Sequence, residues 1–321
     1  MQAAAALAAL VMALLLPEIA GQGLVFLAGL LWINMVFGFS WNLMFRQTGL
    51  VSFGHAAFFA IGGYGYAVLA RAWPGLPPLL VFVAAGALGA VAALVVGVVA
   101  LRRSLGVYFA IFSLALSQIV AMVISDLPSL GRDDGFAGIR RPVLDLGVAT
   151  IKLAEGDNYY RFLVLSCALL TLIVWWVTHS RTGRRFRAVQ QDAERAAFLG
   201  IAVARQRLLC FVIAAAVAAV AGALYGPWLQ LLTPELAQWT FSARPILFTL
   251  LGGAASFWGP AVGALGFTVL EYATRTLHGV GEITVGGILL IVVLIFPGGI
   301  IGGIIGGVRG ALGRARPVAG A

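Results

Sequence analysis

Long apolar runs alternate with short polar connections along almost the whole chain. Most of these runs approach the roughly 20 residues that a helix needs to cross the hydrocarbon core of a bilayer. We therefore predict an all-α integral membrane protein with about ten transmembrane helices. The runs cover residues 3–17, 22–45, 48–70, 78–101, 105–125, 161–179, 208–227, 243–257, 260–278 and 283–301.

The eighth and the first run depart from this regular pattern. Residues 243–257 are few for a span and are bounded by Arg244 and by Gly259-Pro260, which is typical of a short, broken or re-entrant helix. The first run is short enough for a signal peptide, but no basic segment precedes it and many further spans follow. We interpret it as the first membrane helix.

The longest polar stretch, Ser180 to Arg207, carries seven arginines. Because Lys and Arg beside membrane segments collect on the cytoplasmic side, we predict that this stretch is a cytoplasmic loop. Threading the runs outward from it places most of the 21 basic residues and both termini in the cytoplasm, and the loop 126–160 outside. The chain is then one polytopic domain, residues 1–308, followed by a basic cytoplasmic tail, residues 309–321.

Small and apolar residues recur at helical spacing within this cytoplasmic loop, which predicts one or two short helices. Ala193, Ala196, Ala197 and Gly200 would give such a helix a face of small residues. The pattern leaves two roles open, binding to lipid headgroups and docking to a soluble partner. A helix on the membrane surface normally presents Leu, Phe or Trp to the lipid, so the small residues favour docking.

The composition agrees with a membrane protein. Hydrophobic residues make up 61% of the chain and charged residues 10%, and the mean hydropathy is +1.01, whereas roughly a quarter of a soluble chain is charged. The net charge of +9 follows the predicted topology, so we expect no nucleic-acid partner. Cys167 and Cys210 lack CxxC spacing and are interpreted as small buried hydrophobes. His55, His179 and His278 lie far apart, and we expect no metal and no cofactor.

Missing motifs leave three classes of function. The single lysine, Lys152, lies in no GxxxxGK[ST] motif, so ATP is not bound by a P-loop of this chain. A membrane-embedded enzyme is disfavoured because Ser52 and His55, three residues apart, are the nearest approach to a nucleophile and base. A secondary transporter working alone needs intramembrane acids, and Glu271 is predicted to pair with Arg275 near the outer interface. The leading class is a transport subunit without catalytic activity.

Several segments, in order along the chain, resemble the membrane subunits of branched-chain amino acid ABC importers, the LivH and LivM type. The stretch from Gly49 to Tyr64, GLVSFGHAAFFAIGGY, is similar to the third-helix signature of that family. Further segments are similar to its LivM-like half. These are residues 105–111, 133–139, 180–184 with 196–201, and 251–253 with 258–260.

The resemblance implies a permease subunit in the bacterial inner membrane, surrounded by lipid, which forms half of a translocation pathway. Its implied partners are a LivH-like permease, two ATPase subunits (LivG- and LivF-like) and a periplasmic binding protein. The implied ATPase-coupling residues are Arg184, Arg187, Asp192, Glu194, Ala196, Ala197 and Gly200. Hypothetical pathway residues are Ser52, His55, Phe59, Tyr108 and Ser113. Hypothetical docking residues for the binding protein are Arg132, Asp133 and Asp134.

Two departures from the family pattern bear on the substrate. Arg132 stands where the family commonly has glycine, and Phe241 to Pro245 differs from the usual Ser-rich, acidic start of the eighth span. We expect branched-chain amino acids or related small polar solutes. The alternatives in the same family are urea, short amides and aromatic acids.

Overall fold

The computed structural model describes residues 2–103, 106–145, 150–153, 156–274, 286–287, 290, 294 and 298–303. The elements in these ranges are mostly α-helices. Eleven are α1 (Gln2–Ile19), α2 (Gln22–Thr48), α3 (His55–Ala72), α4 (Pro78–Arg103), α5 (Val107–Asp126), α6 (Gly156–His179), α7 (Arg181–Gln191), α8 (Ala193–Phe198), α9 (Val203–Leu229), α10 (Trp239–Gly252) and α11 (Gly259–Thr274). Short 3₁₀ turns lie at Pro128–Leu130, Arg132–Asp134 and Pro234–Ala237.

Five helices are long and apolar enough to cross a membrane, which agrees with the predicted multi-pass architecture. They are Gln22–Thr48, Pro78–Leu101, Val107–Asp126, Gly156–His179 and Val203–Leu229. The total of ten spans and the side of the termini stay predictions. The tenth run falls largely outside the described residues, and the tail 309–321 lies entirely outside them.

Helix α9 lies at the centre of the bundle and packs against α2, α3 and α4. Its contact with α3 brings two backbones together, because a Cβ on Gly222 would overlap the carbonyl of Phe59 and a Cβ on Gly62 would overlap the backbone of Ala219. Small residues allow this approach where lipid supplies no hydrophobic force between helices. The high glycine content within the predicted spans therefore serves tight packing. Cys210 of α9 is buried, as predicted.

The two ends of the bundle differ in structure. The strand end, as we call it, carries two small antiparallel pairs: β1 (Phe136–Ala137) with β4 (Leu231–Leu232), and β2 (Val143–Asp145) with β3 (Thr150–Lys152). These strands were not expected in an all-α protein, and they satisfy backbone groups of the long loop after α5. The opposite end, the arginine end, carries α7 and α8.

The chain is not helical between α2 and α3, although the apolar run predicted a span from residue 48. Gly49, with a φ of 71°, ends α2 in the left-handed conformation. The extended connector that follows is buried: Trp41 Nε1 donates to the Ser52 carbonyl at 2.9 Å, and the Phe53 amide donates to Ser113 Oγ at 2.9 Å. Non-helical backbone is tolerated inside a membrane protein where protein groups satisfy it, as they do here.

A second break precedes α10. This helix has 14 residues and is about 21 Å long, against a hydrocarbon core of about 30 Å. It begins inside the bundle, where Ser242 Oγ accepts from the Ala56 amide at 2.9 Å and the Phe241 ring lies 5.7 Å from the ring of Phe37, near the middle of α2. The eighth run thus forms a short helix, as one of its interpretations predicted, but it begins at Trp239 and ends at Gly252.

Candidate functional site

Helix α7 is anchored to the arginine end of the bundle. Ser180 caps its N-terminus, since Ser180 Oγ accepts from the Gly183 amide at 3.2 Å and donates to the Val177 carbonyl at 2.7 Å. The side chains of Phe186 and Val189 are 0% and 2% exposed, and α7 packs against α2, α6 and α9. The predicted polar loop therefore begins with a fixed helix.

Helix α8 is short and ends in an exposed tip. Asp192 caps it, with Asp192 Oδ1 accepting from the Arg195 amide at 2.9 Å. Phe198, the last residue of α8, is 92% exposed and Leu199, which follows it, is 76% exposed. The chain reverses at Gly200, whose φ is +80°. One or two short helices were predicted in this loop and two are observed, but the exposed Phe198–Leu199 pair was missed. Its signal, two large apolar residues before a glycine inside a polar run, is present in the sequence.

The predicted coupling residues do not share one surface. Arg184, Glu194, Ala197 and Gly200 are exposed. Ala196 is buried, at 3% exposed, and does not lie on the exposed side with Ala197 and Gly200, because α8 packs against α7 and α9. The coupling role of these residues stays a prediction.

Arg187, another predicted coupling residue, is half-buried and turns back to the bundle. Its Nη1 donates to the Thr178 carbonyl at 2.9 Å, at the end of α6. Together with Arg46 and Gln190 it lines an open pocket of about 380 Å³ beside Ala254. Arg187 thus ties α7 to α6, and its guanidinium is not part of the exposed tip.

His55, the central predicted pathway residue, lies in the packed interior. Its Nε2 is 2.8 Å from Ser40 Oγ, which donates to the Phe37 carbonyl at 2.7 Å, and its ring stacks on Phe37 with centroids 5.7 Å apart. The side chain is 0% exposed. Ser52 lies in the connector before α3 and not on a helix face with His55, so the suspected Ser52–His55 pair is not formed.

The other predicted pathway residues divide into buried and exposed positions. Ser52 lies in the connector, where its Oγ accepts from the Gly54 amide at 3.3 Å. Ser113 joins the connector to α5, since its Oγ accepts from the Phe53 amide and donates to the Ala110 carbonyl at 2.8 Å. Phe59 is 1% exposed among aromatic rings, whereas Tyr108 is 76% exposed on α5. The structure brings Ser52, His55 and Ser113 to one level of the bundle and leaves Tyr108 on its surface. A pathway-lining role stays a prediction for all five residues.

The predicted docking residues form an exposed 3₁₀ turn at the strand end, Arg132–Asp134. Gly131 and Gly135, both with positive φ, enclose this turn, and a Cβ on Gly131 would overlap the Gly135 carbonyl. The buried ring of Phe136 follows, with the Arg71 guanidinium 5.5 Å from its centroid. The turn is thus presented outward on a fixed base.

Glu271 is paired, but its partner in the described residues is Arg244 of α10. Arg244 Nη2 lies 3.7 Å from Glu271 Oε1, and the predicted partner Arg275 lies outside the described residues. The predicted position near the outer interface is also corrected. The Arg244 guanidinium lies 5.1 Å from the Phe241 ring, which contacts Phe37 near the middle of α2. Sequence reasoning found the acid but missed Arg244 as a mid-depth charge.

A charge at mid-depth is costly to leave in lipid. On insertion scales an Arg, Lys or Asp at the centre of a membrane helix costs about 2.5–3.5 kcal/mol, and such residues almost always face protein or a water-filled cavity. The side chains of Arg244 and Glu271 are nevertheless 37% and 47% exposed in the single chain. Exposed charge at this depth is better suited to contact with protein or water than with lipid.

Comparison with known proteins gives one family. The family described as "Branched-chain amino acid transport system / permease component" matches residues 23–297. This range includes the arginine-end helices, the connector before α3 and both members of the mid-depth ion pair. No solved structure matches the chain significantly.

Individual relatives are similar over different shares of the chain. "High-affinity branched-chain amino acid transport system permease protein LivM" of Escherichia coli (strain K12) is 27% identical over 315 residues, covering 92% of this chain and 73% of that protein. The LivH protein of Salmonella typhimurium is 34% identical over 144 residues, 44% of this chain and 46% of its own. The BraD protein of Pseudomonas aeruginosa is 31% identical over 150 residues, 45% of this chain and 48% of its own.

Proposed function

Because the chain belongs to the family of permease components of branched-chain amino acid transport systems, we propose that it forms half of the translocation pathway of an ATP-binding cassette importer. The family match over residues 23–297 is the observation that carries this proposal. The chain is a multi-pass membrane protein and a transport subunit. ATP hydrolysis belongs to separate subunits, and the location is the inner membrane of a bacterium.

The proposed substrates are branched-chain amino acids or related small polar solutes. Support comes from the three relatives, each of which is described as a branched-chain amino acid permease protein. The LivM-like similarity over 92% of this chain favours a LivH-like protein as the second permease of a heterodimer. A periplasmic binding protein would deliver the substrate at the strand end, where the turn Arg132–Asp134 is exposed.

The exposed tip of α8 is the proposed contact with an ATPase subunit. Phe198 and Leu199 are large apolar residues outside the long apolar helices, and most of each side chain is free to be buried by a partner. Asp192 fixes the start of the helix and Gly200 its reversal. A movement of the ATPase would reach the bundle through α7, whose buried Phe186 and Val189 connect it to α2, α6 and α9.

Co-purification from native membranes tests this function. We expect wild-type chain to bring down a second apolar permease and two ATPase subunits. A Phe198→Glu, Leu199→Glu double variant should lose the ATPases and keep the permease, because two carboxylates cannot be buried in an apolar contact without a partner. Trp73→Glu is the matched control, since Trp73 is 59% exposed at the strand end.

The outcomes separate two parts of the proposal. ATPases that stay bound to the Phe198→Glu, Leu199→Glu variant would show that the tip is not the contact. A wild-type chain that is recovered with no ATPase, and that takes up substrate without ATP, would overturn the importer itself in favour of a transporter working alone.

A further inference from the structure

One charged pair lies at a depth where the side chains around it are apolar and aromatic. Arg244 of α10 is joined to Glu271 of α11 at 3.7 Å. The depth follows from ring contacts: the Arg244 guanidinium lies over Phe241 at 5.1 Å, and the Phe241 ring is 5.7 Å from Phe37 and 5.3 Å from Phe59. Phe37 is the sixteenth of the 27 residues of α2, so the pair lies near the middle of the bundle.

The pair is open on one side. Its two side chains keep 37% and 47% of their exposure, although charged groups at this depth are normally enclosed by protein or water. The open side of the pair therefore suits an aqueous pathway between two permease subunits.

The pair is also loose. A separation of 3.7 Å exceeds the 2.7–2.9 Å of a charge-assisted hydrogen bond. In contrast, Arg161 and Glu18 at the strand end approach to 2.8 Å with similar exposure, 40% and 60%. Among the described residues, the Arg244 guanidinium also lies over the Phe241 ring and interacts electrostatically with Tyr225 of α9. A guanidinium carries five N–H donors, more than the Glu271 carboxylate at 3.7 Å engages.

We propose that Arg244 binds the carboxylate, and Glu271 the ammonium group, of an α-amino acid as it passes through the pathway. This inference rests on the proposed importer function. A guanidinium matches a carboxylate with two parallel hydrogen bonds, and a carboxylate accepts from an ammonium group. Both charges of an α-amino acid are attached to one carbon, so a zwitterion beside the pair contacts both residues at once.

The pair selects for solute charge. Urea and short amides carry no charge and would leave the ion pair unsatisfied by the substrate, and aromatic acids would engage Arg244 alone. α-Amino acids are therefore the substrate class that uses both charges of the pair.

The test uses the complete transporter, with both permeases and the ATPases, reconstituted in liposomes with its binding protein. ATP-driven uptake of labelled leucine is measured for Arg244→Gln and for Glu271→Gln, with Arg161→Gln and Glu18→Gln as matched controls at the strand end. We expect each mid-depth variant to lower uptake at least about tenfold, since one charge-assisted hydrogen bond contributes about ten- to hundredfold in affinity. The controls should stay within about twofold of wild type.

A charge swap separates recognition from structure. The double variant Arg244→Glu, Glu271→Arg restores an ion pair but reverses its direction, so subunit assembly and ATP hydrolysis should recover while uptake stays low. Uptake that recovers with the swap would overturn the proposal and leave a structural ion pair, for example one against the second permease. Uptake that is unchanged in both single variants would overturn it as well.

Two further readouts keep the result interpretable. If the Arg244→Gln chain fails to assemble, Arg244→Lys keeps the charge without the bidentate geometry and should still lower uptake. If the wild-type transporter hydrolyses ATP but takes up no α-amino acid, the proposed substrate class is wrong. The proposed role of Arg244 and Glu271 in binding an α-amino acid is then wrong as well. Uptake by wild type with unaffected variants refutes only the assignment to Arg244 and Glu271.

Discussion

Two neighbouring helices in one polar loop, α7 and α8, meet their surroundings in opposite ways. Each carries or ends in a phenylalanine, and the two side chains are 12 residues apart. Phe186 is 0% exposed within the bundle, and Phe198 is 92% exposed at the tip. Buried apolar area stabilises the fold, whereas exposed apolar area in a polar loop marks a contact site. The loop therefore has a fixed part and a free part, as a segment that transmits movement requires.

The largest difference between these helices should appear in stability. Phe186→Ala removes a fully buried ring and is expected to lower the free energy of unfolding by about 3–5 kcal/mol. Thermal unfolding in detergent can be followed with a thiol-reactive dye, because Cys167 and Cys210 are both buried and free. An unchanged melting temperature would show that α7 is not anchored through Phe186.

The contact of α7 with the end of α6 should show the next largest effect. A Cβ on Gly183 would overlap the carbonyls of Thr178 and Val177, so Gly183→Val must displace backbone and is expected to cost about 1–3 kcal/mol. Gly200→Val is the control for this substitution at the tip, where nothing lies within 4 Å of an added Cβ. Its positive φ makes that control locally strained, but the strain should not reach the thiols in the bundle.

Helices were predictable in this protein because apolar runs and helical spacing are local signals. The break before α3 was not predicted, since the apolar run from residue 48 continues through the connector after Gly49. The eighth helix was expected to be short, but its start at Trp239 lies before the apolar run that predicted it. The sequence offered Arg275 as the partner of Glu271 because four residues separate them. The observed partner, Arg244, is brought near by the packing of α10 on α11, which depends on contacts such as those of Gly252 and Gly259.

The candidate sites show the same limit. Helical spacing grouped six positions on one face: Phe186, Val189, Ala193, Ala196, Ala197 and Gly200. Phe186, Val189 and Ala196 are buried, whereas Ala197 and Gly200 are exposed. The spacing could not tell which side of α8 faces the bundle, because alanine and glycine occur both in tight contacts and on open surfaces. The exposure of Phe198 depends on where α8 ends relative to α9, which is a property of the tertiary fold.

The cap of α8 should have a smaller, local effect. Asp192→Ala removes the acceptor of the Arg195 amide and is expected to cost about 1 kcal/mol. Because α8 is peripheral, the change should appear as faster cleavage by trypsin after Arg195, about fivefold, and not in the thiol-detected melting temperature. Asp192→Asn keeps a capping oxygen and should be cleaved at nearly the wild-type rate. Equal cleavage of Ala and Asn variants would contradict the role of the cap.

The smallest effect on stability is expected for Phe198→Ala at the tip. It is the same type of substitution as Phe186→Ala, for which the largest effect is expected. Phe198→Ala removes a ring that is 92% exposed and should change the free energy of unfolding by less than about 0.5 kcal/mol.

The effect of Phe198→Ala on ATPase binding should be large, because a partner that buries this ring loses about 3 kcal/mol of apolar contact, or about a hundredfold in affinity. Titration of purified ATPase subunits against the two permeases in detergent measures this. A Phe198→Ala chain that binds the ATPases like wild type would reduce the tip to a solvent-exposed turn, and a chain that melts early would place Phe198 in the fold, against its observed exposure.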